Sequence, residues 1–373
     1  MTALAQRSST RNAAIDLLRA WAVLAVVALH LNIRVPFNGC ALGRSLPKPL
    51  YAFLFWSGYP AVIVFFVVSG FLITNMTVER WGALERCDLP RFYRLRFARL
   101  FPALALFVVV QSGLQSANVQ GFFDLQPSAS LPRTWFAVAT FHLNCLEARV
   151  GYLPGAWDVL WSLCVEELFY LGFPLLARWA KPPLLLSAVL LGFVILGPFA
   201  RVSFSQNPIW MDHSYLSCMG EIAIGCLTAL LVWRYPLSST AASASFIVGA
   251  GLVCLVLYFR RAIRALGLYD LGLDVSVLAL GSAALLAAFV SAPHWSRWAE
   301  SRAFAPLRAL GESSYEVYLS HLFLVIPLTL LFKRLRCSLE FIPLFYAVCI
   351  VATALLGILL SRLYSKPFSA RLR

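Results

Sequence analysis

The first apolar run of the chain, Leu17-Leu18-Arg19-Ala20-Trp21-Ala22-Val23-Leu24-Ala25-Val26-Val27-Ala28-Leu29-His30, holds two residues able to handle charge and protons. Eleven positions separate them, close to three helical turns, so both side chains leave one helix face about 16 Å apart along the axis. With Arg19 at one edge of a hydrocarbon layer about 30 Å thick, His30 is expected near its middle. An ionisable group at that depth costs about 2.5 kcal/mol or more, so it needs a partner or a polar cavity. The chemistry on offer is an anion grip at Arg19 and a proton acceptor at His30. The structural alternative is an arginine snorkelling to the interface and a histidine bonded to a neighbouring helix.

Four other constellations accompany this pair. In Trp157-Asp158-Val159-Leu160-Trp161-Ser162-Leu163-Cys164-Val165-Glu166-Glu167-Leu168-Phe169-Tyr170, positions Ser162, Glu166 and Tyr170 form a polar stripe on an apolar helix. Glu166 beside His30 would orient the imidazole and stabilise its charged form, as a general base requires; a buried ion pair with Arg19 or another arginine is the alternative. Gly311-Glu312-Ser313-Ser314-Tyr315-Glu316-Val317-Tyr318-Leu319-Ser320-His321 sets Ser314, Tyr318 and His321 on one face, too polar for a lipid-facing helix and suited to lining a cavity. Arg91-Phe92-Tyr93-Arg94-Leu95-Arg96-Phe97-Ala98-Arg99 places two arginine pairs three residues apart, a grip for a phosphorylated ligand or an anchor at the membrane edge. Val67-Val68-Ser69-Gly70 reads first as small residues that let two helices pack closely. His142, His213 and His294 fall in connections, where a solvated histidine needs no special role.

Positioning these groups is the task of a membrane bundle. Apolar residues make up 60% of the 373 and charged ones 13%, with a mean hydropathy of +0.77, far from the balance of soluble domains. The net charge of +14 does not indicate nucleic acid, because the basic residues lie in short connections between apolar runs rather than on one wet surface. Apolar segments recur at 15–33, 52–76, 98–116, 159–177, 183–200, 215–233, 244–259, 272–291, 315–332 and 341–361, each near the ~20 residues of a helical span. The expectation is an all-α polytopic bundle of about ten spans, with a short surface or re-entrant helix around Trp135 to Leu143. With the amino terminus inside, cytoplasmic segments hold 18 Lys and Arg and outer ones 12, which favours both termini in the cytoplasm; Arg260, Arg261 and Arg264 on the outer side argue against it. Nine cysteines show no metal-ligand spacing, so no metal site is indicated, and only Cys40, Cys145 and Cys337 fall where one disulfide could form.

Taken together, the five motifs resemble the acyltransferase 3 family of integral membrane O-acyltransferases. The matching pieces run from Asp16 to the last span: Arg19 and His30, Phe65 to Leu72, Arg96 with Arg99 before Leu100-Phe101-Pro102, Trp161 to Tyr170, and Ser314 to His321. Leu168, where the family often has Gln, and Ser320, where a larger apolar residue is common, depart from the pattern and leave acceptor contacts there open. The resemblance implies a ten-helix membrane unit; with the apolar runs and the charge distribution, the expectation is one membrane domain over residues 15–362 between cytoplasmic segments 1–14 and 363–373, in a bacterial inner membrane. It implies transfer of an acyl group, commonly acetyl, from acetyl-CoA as co-substrate with no tightly bound cofactor, to a hydroxyl of a surface glycan or glycolipid. It also implies that His30 and Arg19 are required and that Arg96 and Arg99 serve the donor; with the polar faces above, the expectation is that His30 is catalytic with Glu166 holding it, that Arg19 joins the donor arginines, and that Ser69, Tyr315, Tyr318 and His321 line the substrate cavity. Because the chain stops shortly after the last span, the expectation is that the membrane part does the chemistry or shares it with a separate periplasmic protein. A small secondary metabolite as acceptor, and a transporter without covalent chemistry, are the alternatives.

Overall fold

A computed structural model of the chain describes residues 11–123, 129–179 and 183–372; the expected basic segment before residue 11, and Lys181, lie outside the described residues. Helices account for all the regular structure among them. Nine are long and apolar enough to cross a membrane, and a bent pair counted as one span makes ten, the number of apolar runs. In chain order these and the shorter helices that matter are α1 (Ala13–Arg34), α2 (Gly58–Trp81), α3 (Leu89–Ser116), α4 (Leu131–Ala139), α5 (Leu143–Val150), α6 (Trp161–Trp179), α7 (Pro183–Ser203), α8 (Pro208–His213), α9 (Tyr215–Arg234), α10 (Ser239–Leu257), α11 (Asp274–Ser291), α12 (Ala305–Glu312), α13 (Ser314–Ser320), α14 (Leu322–Arg334) and α15 (Ile342–Leu359).

Several helix ends differ from the apolar runs, for local reasons. The run from residue 52 is broken at Trp56-Ser57, where Arg260 donates to the Ala52 and Trp56 carbonyls (3.2 and 3.0 Å) and to Ser57 Oγ (3.1 Å). A short helix, Lys48–Phe55, therefore ends there and α2 begins afresh at Gly58. This satisfies carbonyls that a helix end leaves open and gives Arg260 a local reason to sit at this end of the bundle. Upstream, α3 begins nine residues before the apolar run, because Asp88 caps it through the Arg91 N–H (3.1 Å). The basic stretch is thus the first turns of a helix rather than a loop, with Pro102 inside it removing one backbone bond farther along.

The close core is α2 against α9. Gly70 faces the Ile222 carbonyl and Gly225 faces that of Val67, so a Cβ at either would collide with the partner's backbone; small residues let backbones meet where lipid supplies no hydrophobic drive. The packing expected of Ser69-Gly70 is therefore Gly70's alone. On α12, Gly311 meets the backbone of Asp16 in the same way and brings that helix onto α1. Glu312 then pairs with Arg11 (3.8 Å) and with Lys366 (3.6 Å), which puts the start and the end of the described chain at one end of the bundle. We call this the terminal end, and the opposite one the loop end.

The tenth crossing bends by 45° between α13 and α14. At the bend His321 Nδ1 donates to the Tyr318 carbonyl (2.7 Å), taking an acceptor of the helix's own ladder, and Pro327 follows within α14. Side chains inserted into the ladder and prolines are the usual causes of such kinks. All nine cysteines are free thiols, with Cys40 buried and Cys145 and Cys337 half-buried, so the disulfide considered among those three does not form here.

Candidate active site

The polar residues of the spans gather in two clusters at different depths. At the terminal end, Asp16 is buried and takes a two-pronged grip from Arg11 (2.7 and 2.9 Å), with Arg19 at 3.6 Å. Arg99 reaches the buried Glu316 (3.5 Å) and is, with Asp16, among the charges that bear most on Arg19. The Arg96 guanidinium carbon sits over the Tyr170 ring, 3.7 Å from its centre, beside Glu167 and Glu166. Tyr170 in turn bonds the Ser69 hydroxyl, and Tyr315 donates to the Leu100 carbonyl (3.0 Å). Arg91 and Arg94 point away and are exposed. The arginines expected at the donor side therefore converge as paired side chains, held by carboxylates and rings.

Next to this cluster, α3, α13, α14 and α15 enclose a cavity of about 210 Å³ lined by Ala103, Phe107, Glu316, Leu319, Ser320 and Leu356. Ser320, one of the two departures from the family pattern, is thus on a cavity wall. Leu168, the other, faces outward and is 39% exposed.

At the loop end, Arg34 donates to His30 Nδ1 (3.4 Å) and to the His30 carbonyl (3.1 Å). The His321 ring stands 5.0 Å from that of His30, centre to centre. Because His321 spends its Nδ1 proton on the Tyr318 carbonyl, its Nε2 carries a lone pair, and that atom is buried without a partner. Midway between the clusters, Tyr318 donates to the Val159 carbonyl (2.9 Å) and lies 2.8 Å from Ser162 Oγ.

Two expectations about position are corrected. His30 is not at the middle of its own helix: it lies four residues from the end of the 22-residue α1, about 6 Å from the loop end of a rod about 33 Å long. Nor does Glu166 hold His30; its carboxylate faces Ser69, with Arg96 and then Arg19 as the cations nearest it. The reason is axial distance. Glu166 stands eight residues along from Asp158, about 12 Å deeper, while the groups that bear on His30 are His321 and Arg34. The i, i+4 spacing of His30 and Arg34 was the available signal for that pairing.

A further correction concerns His213, which is not solvated: it is 6% exposed and stacks on Trp161 at 3.9 Å and 3°. Glu147 and Asp158 lie with it, one donor atom of each within 4.8 Å of the others'. Burial first, then the neighbouring Asp158 carboxyl, raises the Glu147 carboxyl well above the ordinary carboxylate range. His142 is half-buried and His294 exposed, in keeping with plain connections.

The fold and site thus define an all-α polytopic membrane bundle with an arginine cluster toward one end and a histidine pair toward the other. The family model for the acyltransferase 3 group, an acyltransferase domain, matches residues 12–362, and the chain belongs to that family. It is 28% identical over 342 residues to the peptidoglycan O-acetyltransferase OatA of Listeria monocytogenes, covering 82% of this chain and 48% of that protein. It is 24% identical over 332 residues to the O-acetyltransferase OatA of Staphylococcus aureus, covering 82% and 49%. The chain thus spans about half the length of these curated relatives. No solved structure matches it.

Proposed function

We propose that this chain is a membrane O-acetyltransferase that takes an acetyl group from acetyl-CoA at the terminal end, on the cytoplasmic side, and delivers it to a hydroxyl of a cell-wall or other surface glycan at the loop end. The observation that carries this reading is the placement of Arg19 and His30 on one face of α1 with a distinct polar cluster around each. The relatives named as O-acetyltransferases supply the acyl group and, in one case, peptidoglycan as the acceptor class.

In this reading Arg96, Arg99 and Arg19 receive the phosphates of the donor, whose extended pantetheine arm bridges the ~16 Å to His30. The arm passes Ser69, Tyr315, Tyr318 and the cavity beside Glu316. An imidazole of the His30 and His321 pair takes the proton of the acceptor hydroxyl. Its oxygen forms the ester bond to the thioester carbonyl carbon, the carbon–sulfur bond breaks, and the coenzyme thiolate recovers the proton from the imidazolium, so charge and atoms balance. His321 offers its bare Nε2 at once; His30 does so when Arg34 leaves Nδ1. An acyl-enzyme on Ser69 is the stepwise variant.

Membranes carrying the chain, incubated with acetyl-labelled acetyl-CoA and cell-wall glycan, test the proposal. Label in the glycan supports it. Label in a small metabolite alone moves the acceptor, and no transfer at all with intact folded protein favours the transporter, for which the bent crossing at His321 is the structural argument.

A further inference from the structure

We propose that Glu147, Asp158 and His213 form a binding site for one divalent transition-metal ion, with Zn²⁺ the ion their donor set fits best. Three separate parts of the chain meet there: α5 in the longest loop, the turn that leads into α6, and the last residue of α8. One donor atom of each lies within 4.8 Å of the others'. Tetrahedral ligands sharing an ion at about 2.0–2.2 Å stand about 3.3–3.6 Å apart, so side-chain rotation of about an ångström closes the site.

Two independent features point to a ligand rather than to a chance acidic cluster. Glu147 is fully buried and His213 nearly so, yet Glu147 Oε2, Asp158 Oδ1 and His213 Nδ1 all lack a hydrogen-bond partner. Buried polar atoms are rarely left so. In addition, the groups are held as ligands are held. The His213 ring plane is fixed against Trp161, the His213 carbonyl accepts from Asn144 Nδ2 (2.9 Å), and Glu147 Oε1 accepts the Leu153 N–H (3.3 Å). Such outer contacts orient metal ligands.

Charge supports the same assignment. Two carboxylates and an imidazole with no cation among them would bury like charges together, whereas a divalent ion neutralises both. Arg34 is the cation that bears on Asp158, but its guanidinium is spent on His30 and forms no ion pair with Asp158. Ca²⁺ and Mg²⁺ ask for six or more oxygens. One ring nitrogen with two carboxylates, leaving a position open, suits Zn²⁺. The ion would clamp α5, and with it the long loop, onto the bundle next to His30.

Zn²⁺ alone is the probe, and the full chain in detergent the material. After chelator stripping, titration against a chromophoric competitor should show one tight equivalent per chain, and thermal scans should show a higher melting temperature with Zn²⁺. Glu147→Gln and Asp158→Asn keep the side-chain shapes, and with His213→Ala should each weaken binding about tenfold or more, while His142→Ala changes nothing. Co²⁺ in place of Zn²⁺ should give a spectrum without a thiolate charge-transfer band. Absence of a saturable equivalent, unchanged affinity in the three variants, or a thiolate band from the free cysteines would overturn the site. None of these readouts depends on acetyl transfer, so this inference and the proposed activity fail separately.

Discussion

His30 and Arg99 carry the sharpest consequences at the residue scale. His30→Ala should lower glycan acetylation by about 10²- to 10⁴-fold, the range of a lost acid–base group, with the melting temperature unchanged. Full activity in folded protein would remove His30 from the chemistry. Because His321 holds its lone pair without a partner, His321→Ala is expected to cost as much; if only one substitution is severe, that ring is the base. Arg99 is harder to read from a single change, since Arg99→Ala strands the buried Glu316 and such stranding costs about 3–5 kcal/mol. Pairing it with Glu316→Gln should recover the stability without recovering acyl-CoA binding. Should the double variant bind acyl-CoA normally, Arg99 serves the fold and not the donor.

Contact between helices decides matters at the next scale. Gly70→Val drives a side chain into the Ile222 carbonyl, an overpacked contact with backbone on both sides that should cost about 3 kcal/mol or more; Gly172→Val, where a Cβ meets only open space, is the control. A melting temperature equal for both would mean that α2 and α9 are not packed as described. Arg201 deserves the same treatment. It is buried at 4% exposure and ties α7 to Tyr59 (2.7 Å) and Asp212 (3.0 Å), so Arg201→Ala should destabilise by about 3–5 kcal/mol, read as a lower midpoint in denaturant or heat.

For the molecule as a whole, a count of ten crossings predicts both ends of the bundle's chain on one side, and the two ion pairs of Glu312 bring those ends together. Those pairs are roughly half exposed, so Glu312→Gln should change stability by no more than about 1 kcal/mol; they report topology more than they maintain it. Impermeant thiol labelling of single cysteines should therefore give the same accessibility at residues 12 and 370 and the opposite one at residue 340. Labelling of 12 and 370 from opposite sides would refute the ten-crossing count. The same experiment on intact cells decides which side is cytoplasmic, for which the Lys and Arg distribution argues and Arg260 no longer speaks against.

Much of this was legible from the chain alone, because lipid makes unusually strict demands. A backbone that cannot bond to water must be helical, so each apolar run declared its span, and ionisable residues inside those runs declared themselves as members of a polar site. The i, i+4 and i, i+11 relations then fixed which of them share a helix face, Arg19 with His30 above all. What one helix cannot state is the depth and partner of a side chain on another. Chemical suitability alone pairs Glu166 with His30, and only the packing of α6 against α2 places it at Ser69, about two turns away. His213 looked like a loop residue until tertiary folding buried it with Glu147 and Asp158, residues 66 and 55 positions distant in the chain. Sequence determined the elements and their polar faces through local periodicity; the crossing geometry of the helices, a sum over contacts far apart in the chain, decided which of those faces meet.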